Sequence, residues 1–268
     1  MNISKTLSTL IICFFLALNF STTKAQSEDT IPQHDSLRID SKILNESRLI
    51  NIWIPEEYRN SSKTLPVLYM PDGGLKEDFP HVANTLAQLI SDKKVPAYIL
   101  VGIENTQRRR DLTPPTQVKE DKEIAPVVGG AANFQKFIET ELFPIINKTY
   151  KTNNKKAIIG ESLAGLFIIE SLLKKPAMFD AYIAIDPSLW WNNESLIKNS
   201  NKLLKQLKST KKLWIAASSD MIPTVTKFDK QVKASKTKIK YHYVEAPKED
   251  HSTIYKAVEA QALIWALN

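Results

Sequence analysis

The sequence predicts an α/β protein with a mostly parallel, eight-stranded sheet, an antiparallel N-terminal hairpin and helices on both faces. Three observations predict it. Short, almost wholly apolar runs alternate with longer segments of helical period, a pattern that means strands buried on both sides. The chain before them alternates apolar and polar residues instead. And glycine is scarce, only seven in 268 residues, with four of the seven at or just beyond the ends of apolar runs.

Taken in order, residues 36–42 and 47–54 alternate and form a hairpin around Asn45-Glu46. After Pro55 the pattern changes. Runs at 65–70 (LPVLYM), 97–103 (AYILVGI), 156–160 (KAIIG), 181–185 (AYIAI) and 212–217 (KLWIAA) read as buried strands. Helical periodicity fills 79–91, 133–148, 163–175 and 194–207 between them. A last alternating run, 238–244, precedes a final helix from about 252 to 267. Gly73, Gly74, Gly102 and Gly160 fall at strand carboxyl ends, where open parallel sheets build their sites.

Ahead of this domain, Lys5 precedes an apolar run over 10–20, and Thr23-Lys24-Ala25 offers small residues at the −3 and −1 cleavage positions. Residues 1–25 read as a signal peptide, 26–34 as a flexible leader and 35–268 as a single domain. That predicts a periplasmic or secreted protein with no stable membrane insertion once the signal is removed. Cys13, the only cysteine, lies in the signal, so the mature chain has neither disulfide nor thiol nucleophile. The formal charge of +7 becomes +5 when Lys5 and Lys24 leave with that segment. Most of the excess is lysine over 200–240 without interleaved aromatics, which describes a solvated face and not a nucleic-acid surface. No HExxH, CxxC, GxGxxG or Walker-type run occurs, so no metal or nucleotide cofactor is expected.

The chemistry concentrates around KAIIGESLAGLF, residues 156–167. A strand turning sharply into a helix would put Ser162 where a nucleophilic serine is held, and that turn needs small residues two before and two after it. Gly160 satisfies the first position; Ala164 stands at the second, with Gly165 one step late. Serine is also a preferred helix N-cap, and the motif alone is compatible with both roles. Of the four histidines, His34 lies in the leader, His81 opens a helix and His242 sits mid-strand. His251, between the last strand and the final helix, is placed for a general base. For the orienting acid, Asp220 after KLWIAASS is favoured on strand position, Asp186 in IAIDPS is a second candidate, and a dyad without a third member is a third option. An oxyanion hole would draw on the Leu163 N–H and on Gly73 or Gly74, since Pro71 has no N–H.

With those residues in hand, the chain resembles the putative-esterase (esterase D-like) family of α/β-hydrolases from about residue 43 to the end. LPVLYMPDGG, VGIENTQRRRDLTPPT, GESLAGLFIIESLLKKPAMFDAYIAIDPSLWWNN and EDHSTIYKAVEAQAL carry the likeness. The family includes siderophore esterases, feruloyl esterases and S-formylglutathione hydrolases. The resemblance implies Ser162 as nucleophile, His251 as base and Asp220 at the acid position. It places Arg110, Asp111, Thr113, His81, Trp190 and Trp191 near the substrate cleft. Two departures stand out. Ala164 replaces the usual elbow glycine, and Asp186 stands where serine is commoner before PSLWW. Such an acid could retune His251, act as the third member itself, or bind a positive group on the substrate. The expected function is an exported serine esterase acting on a small-molecule or carbohydrate-linked ester. Siderophore esters, with Arg108–Arg110 drawing in catecholates, and acylated or feruloylated carbohydrates fit equally, whereas an export signal disfavours a cytoplasmic thiol ester. The alternative is a non-catalytic binding protein on the same scaffold.

Overall fold

The predicted hairpin is formed by β1 (Asp35–Ser41) and β2 (Glu46–Trp53), paired antiparallel with Asn45 at the turn in a left-handed conformation. These and the following elements come from a computed structural model that describes residues 29–268; the expected signal peptide lies outside the described residues. Residues 29–34 have no regular secondary structure, yet they touch the domain. Asp29 meets Lys256 at 2.8 Å, and the Thr30 carbonyl accepts from Asn84.

Beyond α1 (Glu56–Arg59), β3 (Leu65–Pro71) leads through α2 (Phe79–Ser91) to β4 (Ile99–Ile103). Three short helices follow: α3 (Arg108–Leu112), α4 (Lys119–Ile124) and α5 (Ala131–Phe137). The last continues through a π-helical turn, Ile138–Leu142, into α6 (Phe143–Thr149). The sequence predicts one unbroken helix here. Pro144 lacks the N–H and crowds the carbonyl four residues back, and a widened turn just before it relieves that clash. The rest alternates: β5 (Thr152–Glu161), α7 (Leu163–Lys174), β6 (Ala181–Ile185), α8 (Trp191–Leu204), β7 (Lys211–Ser218), α9 (Ile222–Ala234), β8 (Ile239–Ala246) and α10 (Ile254–Leu267). Within α8, Asn192, Asn193 and Glu194 have positive φ, so regular helix begins after them.

The sheet order is β1-β2-β4-β3-β5-β6-β7-β8, antiparallel at β1–β2 and β2–β4 and parallel from β4 to β8. This is the α/β-hydrolase arrangement. Period-two alternation divides each inner strand between two layers. Val67, Tyr69, Ile158, Leu213 and Ile215 pack with α5 to α9, while Leu68, Met70, Ile159, Trp214 and Ala216 pack with α2 and α10. Burying a side chain such as Ile158 fully contributes about 1.5–3 kcal/mol. His242, expected mid-strand, stacks between Trp214 and Trp265.

The strand order also says where a crevice must open. From β3 the chain steps to β4 on one side and then crosses to β5 on the other. The helices after β3 and β5 therefore leave on opposite faces, α2 with one layer and α7 with the other. The carboxyl ends of β3 and β5 therefore form a switch point, where ligands of open α/β sheets bind.

Candidate active site

Ser162 lies at that switch point, between the last residue of β5 and the first of α7, with φ 60° and ψ −118°. A non-glycine residue there is strained by about 1–3 kcal/mol and persists only where its surroundings impose it. They do. The Ser162 N–H is bonded to the Ile185 carbonyl, and its own carbonyl accepts from Leu166 and Ser188. The residue occupies the N-cap position of α7, but its hydroxyl makes no capping bond. It is turned out to His251 Nε2 at 3.1 Å and to Ser188 Oγ at 3.4 Å.

The glycine pattern around the turn is accounted for by two close approaches. A Cβ on Gly160 would come within 2.6 Å of the Ala164 Cβ, so the methyl at 164 fills the space that glycine at 160 leaves open. Ala164 is fully buried there without displacing the turn. At Gly165 the crowding comes from β6 instead. A Cβ would reach Pro187 at 3.0 Å and the Ile185 carbonyl at 3.1 Å, so its absence lets α7 lie against the end of that strand.

His251 comes from the loop between β8 and α10. Its Nδ1 meets Asp186 Oδ2 at 2.6 Å. Asp186 is wholly buried and held from three sides: Oδ1 accepts the Ser218 N–H at 2.7 Å, Oδ2 accepts the Ser218 hydroxyl at 2.9 Å, and its own N–H donates to Ala216. The expected partner Asp220 is not the carboxylate on His251. β7 ends at Ser218, and Asp220 lies two residues on, exposed, in the turn toward α9. Asp186 follows directly on Ile185, which is in register with Glu161 beside Ser162. Asp186 thus stands one strand over from the serine, and Asp220 two residues past the end of the next strand.

The hydrogen bond to Asp186 raises the His251 pKa above its ordinary value; burial opposes this, and the Glu161 and Asp186 charges reinforce it while Arg108 works against it. The imidazole side chain keeps 43% of its surface exposed, so the site opens to solvent. Leu163 contributes the first N–H of α7, one of those that helix geometry leaves without an intrahelical acceptor.

The glycine amides expected at the oxyanion position are both engaged: Gly73 N–H donates to the Ile103 carbonyl and Gly74 N–H to Glu77 Oε2 at 2.7 Å. Sequence could not reveal this, because it depends on where the Glu77 side chain folds. Several expected cleft residues belong to the scaffold instead. Arg110 is tied to Glu46 and to Asp111, and Arg108 makes a two-pronged contact with Asp72 at 2.7 and 2.8 Å, so these two guanidiniums are not offered to a substrate. His81 is buried in α2 with Nε2 2.7 Å from Glu259 and its ring edge-on to Tyr255. Trp191 is buried and donates to the Pro114 carbonyl; Trp190 lies half-buried beside it. Thr113 is buried and bonded to Arg109 O.

Sequence reading missed Ser188 and Ser218. The hydroxyl ending β7 was a usable signal, since it sits across from the strand end that carries Asp186. A cavity of about 1210 Å³ at the opposite end of the sheet, around Trp53, Tyr98 and Asn268, shares no residue with this constellation.

Known proteins carry the same framework. Ferri-bacillibactin esterase BesA of Bacillus subtilis is 30% identical over 200 residues, 67% of this chain and 66% of that protein. The siderophore triacetylfusarinine C esterase of Aspergillus fumigatus is 35% identical over 41% of this chain and 38% of its own length. The chain thus spans just under two thirds of the first and well under half of the second. An IroE-like serine hydrolase from Shewanella oneidensis superposes with a TM-score of 0.80 at 27% identity, covering 87% of this chain and 79% of that one. The siderophore hydrolase EstA of Aspergillus nidulans, at 21% identity and a TM-score of 0.77, shares the fold. The match to the family described as "Putative esterase" runs from residue 41 to 258, taking in Ser162, Asp186 and His251 together, and the chain belongs to that family.

Proposed function

We propose that the protein is an exported serine esterase working through an acyl-enzyme, with Ser162 as nucleophile, His251 as base and Asp186 as the acid that orients it. One observation carries this reading: a single imidazole bridges the strained serine hydroxyl at 3.1 Å and a buried carboxylate at 2.6 Å. Asp186 fixes the tautomer with the proton on Nδ1, leaving Nε2 to accept from Ser162. As Ser162 Oγ bonds to the ester carbonyl carbon, its proton passes to Nε2 and charge gathers on the carbonyl oxygen. The Leu163 N–H stabilises that oxyanion. A second donor from the turn after β3 would be the Gly74 N–H once released by Glu77, whose carboxylate Asn105 also holds, since the Gly73 N–H is bonded to backbone. The carbon–oxygen bond to the alcohol breaks as Nε2 returns the proton to it. Water, deprotonated by the same nitrogen, then releases the acid and regenerates Ser162.

The raised His251 pKa and the completed elbow favour catalysis over the scaffold-only alternative, since a binding protein has no need of a strained serine facing a base. The siderophore esterases among the relatives make an ester-linked iron chelator the leading substrate class, ahead of acylated carbohydrates. Export rests on residues 1–25 and is checked by N-terminal sequencing of protein from the periplasm or medium, where a start after Ala25 is expected. Fluorophosphonate treatment followed by peptide mass spectrometry tests the activity. An adduct on Ser162 is expected, lost in Ser162→Ala; a folded, unlabelled wild-type protein would refute the reading.

A further inference from the structure

Glu161 is bonded to Ser162 along the chain and ends β5, and no step of the reaction above uses it. Its place follows from strand alternation: Ala157 and Ile159 point into the layer of α2 and α10, so Glu161 points to the same side, at that layer's open top. There its Oε1 is buried without a hydrogen-bond partner, while the residue as a whole is only half-buried and so reaches the open side of the site. A buried acceptor without a donor costs roughly 1–3 kcal/mol, and this one stands beside the serine.

The cations around it are already matched. Arg108 gives both prongs to Asp72, His251 is held by Asp186, and His81 by Glu259. The groups acting most on Glu161 are His251, Asp78, Asp186 and Arg108, contributed by four different segments, and Tyr255 from α10 feels it in turn. Burial first, with Asp78 and Asp186 adding to it against His251 and Arg108, pushes the Glu161 carboxyl up to about 7. Asp78, at the start of α2, is pushed up to about 6, by burial and then by Asp72. In both carboxyls burial is the main cause, and the nearby cations His251, His81 and Arg108 only partly offset it.

We propose that Glu161 is a substrate-recognition residue of the Ser162 site, accepting an ammonium group carried by the ester, so that the enzyme prefers cationic esters and disfavours polyanionic ones. This rests on Ser162 being the nucleophile. Within the siderophore class it selects chelators whose ester-bearing part carries an amine, over those presented as anionic catecholates. It also reverses the sequence-based expectation of a cationic cleft at Arg108–Arg110.

The test compares three aryl acetates at pH 8: 4-(aminomethyl)phenyl acetate, its uncharged isostere 4-ethylphenyl acetate, and anionic 4-(carboxymethyl)phenyl acetate. Wild-type kcat/KM should run cationic over neutral over anionic, with about tenfold between the first two, as about 1.4 kcal/mol of attraction gives. In Glu161→Gln the cationic-to-neutral ratio should collapse toward one, the change falling on KM, while Glu161→Asp retains part of the preference. No preference in the wild type overturns the proposal. So does a ratio unchanged in Glu161→Gln, including the case where that variant loses equally on all three esters because it only shapes the turn. Failure of the esterase reading would look different: no aryl acetate is hydrolysed, and Ser162→Ala matches the wild type, which removes both conclusions.

Discussion

Two charged networks sit at the same rim of the sheet, and they are built on opposite plans. One is closed. Arg48, with no exposed side-chain surface, contacts Asp111 and Glu46, and Arg110 bridges the same two carboxylates. Each guanidinium there meets two carboxylates, although Arg48 Nε is left without a hydrogen-bond partner, and the result is a fixed position for α3 against β2. The other is open. Ser162, His251 and Asp186 form a line whose buried end is fully bonded and whose outer end is wet, with the unpartnered Glu161 oxygen alongside. The contrast teaches how to tell scaffold from site when both are polar. A scaffold network pairs its charges with one another inside the protein, while a site leaves its reactive end open to solvent.

The sharpest way to break this contrast is to cut the open network at its tip. Ser162→Ala should lower kcat on p-nitrophenyl acetate by roughly 10⁶-fold, with Ser162→Ala/His251→Ala no worse than either single change, because the two act as one unit. The melting temperature of each should stay near that of the wild type. Cutting the closed network should give the reverse. Asp111→Ala leaves the buried Arg48 and its neighbour Arg110 with one of their two shared carboxylates and should cost about 3–5 kcal/mol of stability in urea unfolding. A loss of activity larger than the loss of folded protein would move Asp111 from scaffold to site.

Smaller effects bear on the turn itself. Gly160→Ala should cost about 1–3 kcal/mol by overpacking against Ala164, and adding Ala164→Gly should recover part of it. Equal, additive losses would mean that the two positions do not share the space. The smallest expected change is in the pH profile. His251 must be neutral to accept a proton, so kcat/KM is present above its pKa and lost as pH falls through it. Asp186, Glu161 and Arg108 are the charged groups acting on that imidazole, with the Asp186 bond the largest influence. The acid limb should therefore lie above the roughly 6.5 of an ordinary histidine and move down in Glu161→Gln.

How far the sequence could be read tracks the same division. Strand and helix order were legible because β3 to β7 are covered on both faces and so appear as unbroken apolar runs. That Ser162 and His251 could meet was legible because one follows the end of β5 and the other lies in the loop between β8 and α10. The acid was not. Its choice depends on register: Ile185 pairs with Glu161, which brings Asp186 beside the serine, and no property of Asp186 taken alone conveys that. His81, Arg110 and Trp191 looked like cleft residues by family likeness, yet their partners Glu259, Glu46 and Pro114 lie far away in the chain. Only the fold brings such partners together, and once together they take those side chains out of the cleft.

The central claim is that His251 is held for proton transfer by Asp186, and the paired variants Asp186→Asn and Asp220→Asn address it most directly. Steady-state kcat on p-nitrophenyl acetate should fall by about 10⁴ in Asp186→Asn. In Asp220→Asn, whose carboxylate is exposed in the turn before α9, it should stay close to wild type. Equal losses, or a larger loss at 220, would contradict the account.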